Sequence, residues 1–317
     1  MYTVSQPTQP AIRAGTHDKP SPQHGLDAFR SKGWLEVYRK SLGALLTVNP
    51  SLAIRLATDR FFYPRRRSQS GISKLPAGYQ PICVYHNLKK LAAYRWGTTG
   101  PTVLLVHGWE SHMGSMAAFI EPLLAAGYSV IAVDAPGHGR SPQAYTHMVD
   151  FGDAILSVIE QHGPVYAVVA NSLGASAAAL MLARASHIHV SKLMLISPLN
   201  HIKQQIDIFM NIVGFPPDFH NQLEDSIRLR LPIPLAQCDV SKALASIETD
   251  SMIIHDASDR LIPVVTSEMM VASRPKTKLL ITHGLGHRHI LRDTCIHQKM
   301  LQFLSSTVPD YVTIKTF

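Results

Sequence analysis

The sequence predicts an α/β fold with a mostly parallel sheet and helices on both faces. Three observations predict it. Short β-rich runs alternate with helical stretches from residue 81 onward, a rhythm that builds parallel sheets. A buried run, Val165–Val169, leads straight into a helix of small residues with a serine at the corner. Several other runs end in loops rich in glycine, acid or histidine, and loops of this kind at strand ends carry chemistry.

The 317 residues are 46% apolar and 16% charged, which suits a globular chain and excludes collagen-like and coiled-coil classes. Cys83, Cys238 and Cys295 form no CxxC pair, so neither a disulfide framework nor a thiolate zinc site is supported. Residues 1–25 are polar, broken by prolines and without an apolar core segment. They predict a disordered tail and no secretory signal, and a cytoplasmic setting is the expectation. The formal charge of +8 lies wholly in residues 1–80, which hold 12 basic and 4 acidic residues. Residues 26–80 therefore read as a basic helical extension. In its first helix Trp34, Tyr38, Leu42 and Leu45 recur at helical spacing. Asn49-Pro50 then caps a second helix carrying Leu52, Leu56 and Phe61, which stops near Tyr63-Pro64. These faces are expected to pack on residues 81–317, leaving Arg39, Lys40 and Arg65 to Arg67 facing solvent. Nucleic acid is not an expected partner, and packing is favoured over contact with a membrane surface.

Ile82–Tyr85 and Leu91–Trp96 read as a hairpin. Thr102–Val106, Ser129–Val133, Val165–Val169, Lys192–Ile196, Ser251–His255 and Lys278–Thr282 are the further strands. Met116–Ala126, Val149–Gln161 and Leu173–Ala185 are the helices between the first four of them. Residues 199–250 break the rhythm with a polar helical stretch and are expected to form a helical lid over the site.

Five segments carry chemistry. In Ala170-Asn171-Ser172-Leu173-Gly174 a sharp turn would raise the serine Oγ above the sheet, as a nucleophile requires, and the neighbours at two residues' distance must be small. Leu104–Val106 ends in His107-Gly108-Trp109. There the backbone N–H of Trp109, with that of Leu173, is the candidate pair to receive an oxyanion, and His107 braces the loop. Asp134, His138 and Arg140 brace a tight Pro/Gly loop. The strand Ser251–His255 delivers two acids, Asp256 and Asp259. Asp259 lies further into the loop and is able to reach a neighbour, and Asp256 is placed to cap local backbone. After the last strand, His287 is the candidate base, with His283 and His289 as competitors. A metal reading of these histidines lacks an HExxH motif or a carboxylate–histidine set.

These segments, in this order, resemble the α/β-hydrolase superfamily over residues 81–317. More closely, they resemble bacterial hydrolases with a serine corner of His-Ser-Leu-Gly type, in which Asn171 here replaces the histidine. The resemblance implies an eight-stranded, mostly parallel sheet, the triad Ser172, Asp259 and His287, and no cofactor; no metal is expected, on the missing motif above. It selects Asp259 over Asp256. The expected function is hydrolysis of a carboxylic ester or thioester, a small-molecule acyl substrate, through an acyl-enzyme at Ser172. Lactone or carbon–carbon bond hydrolysis by the same triad, and non-catalytic binding on the same fold, are the alternatives.

Overall fold

The computed structural model describes residues 32–65 and 75–306. Helices α1 (Lys32–Val48) and α2 (Pro50–Phe62) precede a hairpin of β1 (Gln80–His86) and β2 (Lys89–Trp96). Then follow β3 (Thr102–Val106), a 3-10 segment (Met113–Phe119) continued by α3 (Ile120–Ala125), β4 (Ser129–Val133), α4 (Met148–His162), β5 (Ala167–Asn171), α5 (Leu173–Arg184) and β6 (Lys192–Ile196). Next come α6 (Ile202–Val213), α7 (His220–Arg228), α8 (Val240–Ser246) and β7 (Asp250–Asp256). The last elements are α9 (Val265–Ser273), β8 (Lys278–Thr282), α10 (Gly286–His289) and α11 (Thr294–Ser305). Among the described residues, eight strands form one sheet in the order β1-β2-β4-β3-β5-β6-β7-β8. The β1–β2 and β2–β4 pairs are antiparallel and the rest are parallel.

All residues of β3, β4, β5 and β6 are buried, as parallel strands covered on both faces must be. Alternate side chains feed two cores. Leu104, Val168 and Leu193 pack with α4 and α5 on one face, and Val103, Val169 and Met194 pack with the 3-10 segment and α11 on the other. The predicted strand at Val165–Val169 runs two residues later, at Ala167–Asn171, because Asn171 still pairs with Ile196. The predicted helix Met116–Ala126 begins as the 3-10 segment at Met113. No helix among the described residues is long and apolar enough to cross a membrane.

A third core joins two parts distant in sequence. Leu42, Leu46, Ala53, Ala57, Phe61 and Phe62 are buried against Ile206, Met210 and Val213 of α6 and Leu223 and Ile227 of α7. The packed face of α2 differs from the one expected, since Leu56 is exposed and Ala53 and Ala57 take the contact. Small residues there let α2 and α7 approach closely. Of the basic residues expected to face solvent, Arg39 and Lys40 are exposed and Arg65 is not. Arg39 donates to the Ile212 carbonyl at 2.9 and 2.6 Å, satisfying the C-terminal end of α6. Arg65 turns inward to Glu110. Lys40 is exposed and pairs with Glu36. Thr58 donates to Ser226 at 2.9 Å and Arg230 pairs with Asp59, so α2 and α7 are also tied by polar contacts. Residues 1–25, the Trp34 side chain, Arg66 and Arg67 lie outside the described residues. Within 199–250, α8 belongs with the sheet: its Val240, Ala243 and Leu244 are in the core with α5 and α9. Only α6, α7 and their loops stand apart.

Candidate active site

β5 ends at Asn171, and the chain turns at once into α5. Ser172 occupies the corner with φ +54°, a backbone conformation that costs a non-glycine residue of order 1–3 kcal/mol. The surroundings hold it there. Its N–H donates to the Ile196 carbonyl at 2.8 Å, and the Asn171 side chain donates to the same oxygen at 3.2 Å. Ser176, one turn on, exchanges hydrogen bonds with the backbone of Leu199. Gly174 is required, because a Cβ there would meet the His107 carbonyl oxygen at 2.1 Å. Ala170 is fully buried beneath the corner.

The strand end of β3 lies alongside. His107 is fully buried; its Nε2 accepts from the Ala135 N–H at 3.1 Å and its Nδ1–H donates to the Gly108 carbonyl at 2.7 Å. Burial pushes its pKa down to about 4, so it is a neutral brace. Asp134 accepts from the N–H groups of Met113 and Arg140 at 2.6 and 2.8 Å, closing the loop next to it. His138 is buried against His107 and Trp109.

β7 and β8 deliver the remaining groups. Asp256 accepts from the Ser258 N–H (2.9 Å), the Thr282 hydroxyl (2.8 Å) and the Leu285 N–H (3.0 Å), joining the loops that follow the two strands. Asp259 lies beyond it, with Oδ1 accepting from the N–H groups of Leu261 and Ile262 at 2.8 and 3.0 Å. Gly286, at φ +59°, turns the second loop so that His287 follows it. The His287 Nδ1–H donates to Asp259 Oδ2 at 2.6 Å, and the Ser172 hydroxyl donates to His287 Nε2 at 3.2 Å. Burial pushes the Asp259 carboxyl up, but hydrogen bonds from His255 and His287, the imidazole charge and the Ile262 N–H outweigh it. They hold Asp259 well below the usual carboxylate range.

Ser172 and His287 open onto a cavity of about 350 Å³. Gly108, Trp109 and Leu173 line it beside the serine, so both backbone positions singled out in the sequence are at hand. The opposite wall comes from α6 and, unforeseen in the sequence, from Leu35, Tyr38 and Phe61 of the N-terminal helices. His283 and His289 take no part in the Ser172–His287–Asp259 line and are exposed. Among the described residues no three His, Cys, Asp or Glu side chains come together in a way that could hold a metal ion.

Three further residues escaped the sequence reading. His255, fully buried, lies 3.5 Å from Asp259 Oδ2 and donates from Nε2 to the Ile262 carbonyl at 2.9 Å, fixing the acid loop. Glu110 follows Trp109 at φ +50° and binds Arg65 by two side-chain bonds at 2.9 and 2.7 Å and Arg60 at 2.5 Å. Burial pushes its carboxyl up, and the two arginines outweigh that and hold it at about 2. Gln205 is the single polar member of the α6 wall, with neither amide atom hydrogen-bonded. A buried histidine four residues before an acid was the one local signal for any of these.

The chain is similar to a bifunctional esterase/perhydrolase of Acinetobacter calcoaceticus, 25% identical over 67% of this chain and 94% of that protein. It is also similar to a 2-hydroxy-6-oxo-6-phenylhexa-2,4-dienoate hydrolase of Burkholderia cepacia, 24% identical over 59% of this chain and 82% of that one. An esterase structure from Pyrococcus furiosus shares the fold with a TM-score of 0.58 at 19% identity, covering 77% of this chain and 97% of the other. The model of the alpha/beta hydrolase family matches residues 103–294, from β3 to the start of α11 and more than half of the chain. By that match and by the eight-stranded sheet beneath it, the chain belongs to the alpha/beta hydrolase family.

Proposed function

We propose that the chain is a serine hydrolase that cleaves a carboxylic ester or thioester through an acyl-enzyme at Ser172. The observation that carries this reading is the hydrogen-bonded line from Ser172 through His287 to Asp259, open at its serine end to the cavity. With Nδ1–H held by Asp259, His287 presents the Nε2 lone pair to the Ser172 hydroxyl. Ser172 Oγ attacks the carbonyl carbon and its proton passes to His287. The N–H groups of Trp109 and Leu173 receive the oxyanion. His287 then protonates the departing alcohol or thiol. A water, deprotonated by His287, releases the acid from Ser172 by the same steps in reverse.

The test is Ser172→Ala against an activated short-chain ester, with fluorophosphonate labelling read in parallel. We expect hydrolysis and labelling to vanish while the circular dichroism spectrum is kept. Undiminished turnover by the purified variant would end the reading. Similarity to a dienoate hydrolase supports carbon–carbon bond hydrolysis as a second reading, and a panel including such a substrate separates the two.

A further inference from the structure

The α6 wall of the cavity holds one polar side chain among apolar ones. Ile208, Phe209 and Ile212 follow Gln205 by three, four and seven residues, so the four form one stripe of the helix, and all of them line the cavity. Leu35 and Phe61 extend the same wall. Gln205 is 7% exposed, and neither its Oε1 nor its Nε2 has a hydrogen-bond partner among the described residues. Both ends of the amide are unpaired, so turning it over changes nothing. Its neighbour Gln204 gives the contrast. There Oε1 accepts from the Asn200 N–H at 2.7 Å and Nε2 donates to the Thr266 hydroxyl at 3.0 Å, fixing the start of α6 against the start of α9. That structural task is therefore already filled, and a buried amide left unpaired costs stability. Pockets that are mostly apolar draw their specificity from a few polar groups placed in this way.

Gln205 is on the first turn of α6, the end of the stripe nearest to β6 along the chain. β6 ends at Ile196, whose carbonyl receives the Ser172 N–H at 2.8 Å, and Leu199, between Ile196 and Gln205, lines the cavity too. The alcohol or thiol leaves with the proton of His287 and so lies over that ring. The acyl group stays on Ser172 through both halves of the reaction and is left to the α6 wall. A chain that fills the wall strips solvent from Gln205. An all-carbon chain would leave both amide atoms unpaired, whereas an oxygen at that point would pair one of them. The stripe brings no cation, so a neutral oxygen fits it better than a carboxylate. We infer, resting on the reading of Ser172 as nucleophile, that Gln205 selects acyl groups that are apolar except for one neutral oxygen, a hydroxyl or a ketone, which accepts a hydrogen bond from the Gln205 side-chain amide.

A series of p-nitrophenyl esters tests this, because a common leaving group isolates the acyl side. The acyl groups are hexanoyl, its C3 and C6 hydroxyl derivatives and its C4 and C5 ketones, and each rate is divided by the uncatalysed rate of the same ester. We expect kcat/KM for at least one oxygenated ester to exceed that for the plain hexanoate by about tenfold or more. Whether a hydroxyl or a ketone leads distinguishes the two oxygens. The preference should fall to unity or reverse in Gln205→Leu and in Gln205→Met, where the plain hexanoate no longer strands an amide. The ratio within one protein cancels any loss of folded material. Neither substitution should lower the melting temperature of the free protein, since no hydrogen bond within the chain is lost. Binding gives a reading without turnover. In Ser172→Ala, the methyl ester of the favoured oxygenated acid should raise the melting temperature more than methyl hexanoate does, and adding Gln205→Leu should erase the difference. Equal rates across the series would overturn the inference. So would a preference that survives both substitutions, or variants that melt lower and lose all esters by one common factor. Absence of hydrolysis by the parent chain with the methyl-ester difference retained would strike the hydrolase reading and spare the role of Gln205.

Discussion

Asp256 and Asp259 stand three residues apart at the end of β7, and their partners divide their roles. Asp256 accepts from backbone and hydroxyl donors of two loops, whereas Asp259 spends one oxygen on its own loop and offers the other to His287. An amide at 259 would donate where it must accept, or force the other tautomer of His287. Asp259→Asn is therefore expected to lower kcat by about three to four orders of magnitude with little change in KM. Asp256→Asn should chiefly lower the melting temperature. Steady-state kinetics and thermal melts on the two variants decide this, and exchanged phenotypes would reassign the acid.

Between elements, the clamp of Arg60 and Arg65 on Glu110 ties the N-terminal helices to the loop that carries Trp109. Glu110 has a pKa held at about 2 in the folded protein against 4.5 for a free side chain. Its carboxylate therefore stabilises the fold at neutral pH, by on the order of 3 kcal/mol, and this contribution fades as pH falls from about 5 toward 2. Glu110→Gln should melt well below the parent at pH 7, with the gap closing toward pH 2. A gap independent of pH would show that the charge is not what matters. None of this was legible in the sequence, because the partners are 45 and 50 residues apart and follow no local period. The strands β3, β4, β6 and β8 were legible to the residue, since each coincides with an apolar run bounded by turn residues. The serine corner and the histidine loop were equally visible, because tight turns constrain which residue types fit. The layer to which a helix belongs was not: α6, α7 and α8 are all amphipathic, and only packing shows that α8 joins the sheet.

Taken whole, the molecule has two bodies of burial. The sheet carries two cores, and α1, α2, α6 and α7 make a third that forms the far wall of the cavity. Elements that share a core tend to open together, so hydrogen exchange should find these four helices losing protection as one unit, before β3, β5 and β6. Phe61 is central to that unit, stacked edge-on against Phe62 and Phe209. Phe61→Ala should cost about 3–5 kcal/mol locally, raising exchange in α6 and α7 while leaving the central strands protected. Exchange mass spectrometry of the two proteins reads this directly, and uniform deprotection across the sheet would refute it.

The third core also sets a schedule for synthesis. Leu42, Leu46, Phe61 and Phe62 leave the ribosome first, but their partners Ile206, Met210, Leu223 and Ile227 follow only after roughly 140 more residues have been made. At about 5–20 residues per second, the first two helices wait roughly 7–30 s with an apolar face and nothing to cover it. During that interval the two helices carry an uncovered apolar face, the kind of exposure that favours misassembly. The cavity wall opposite Ser172 is complete only once the middle of the chain arrives.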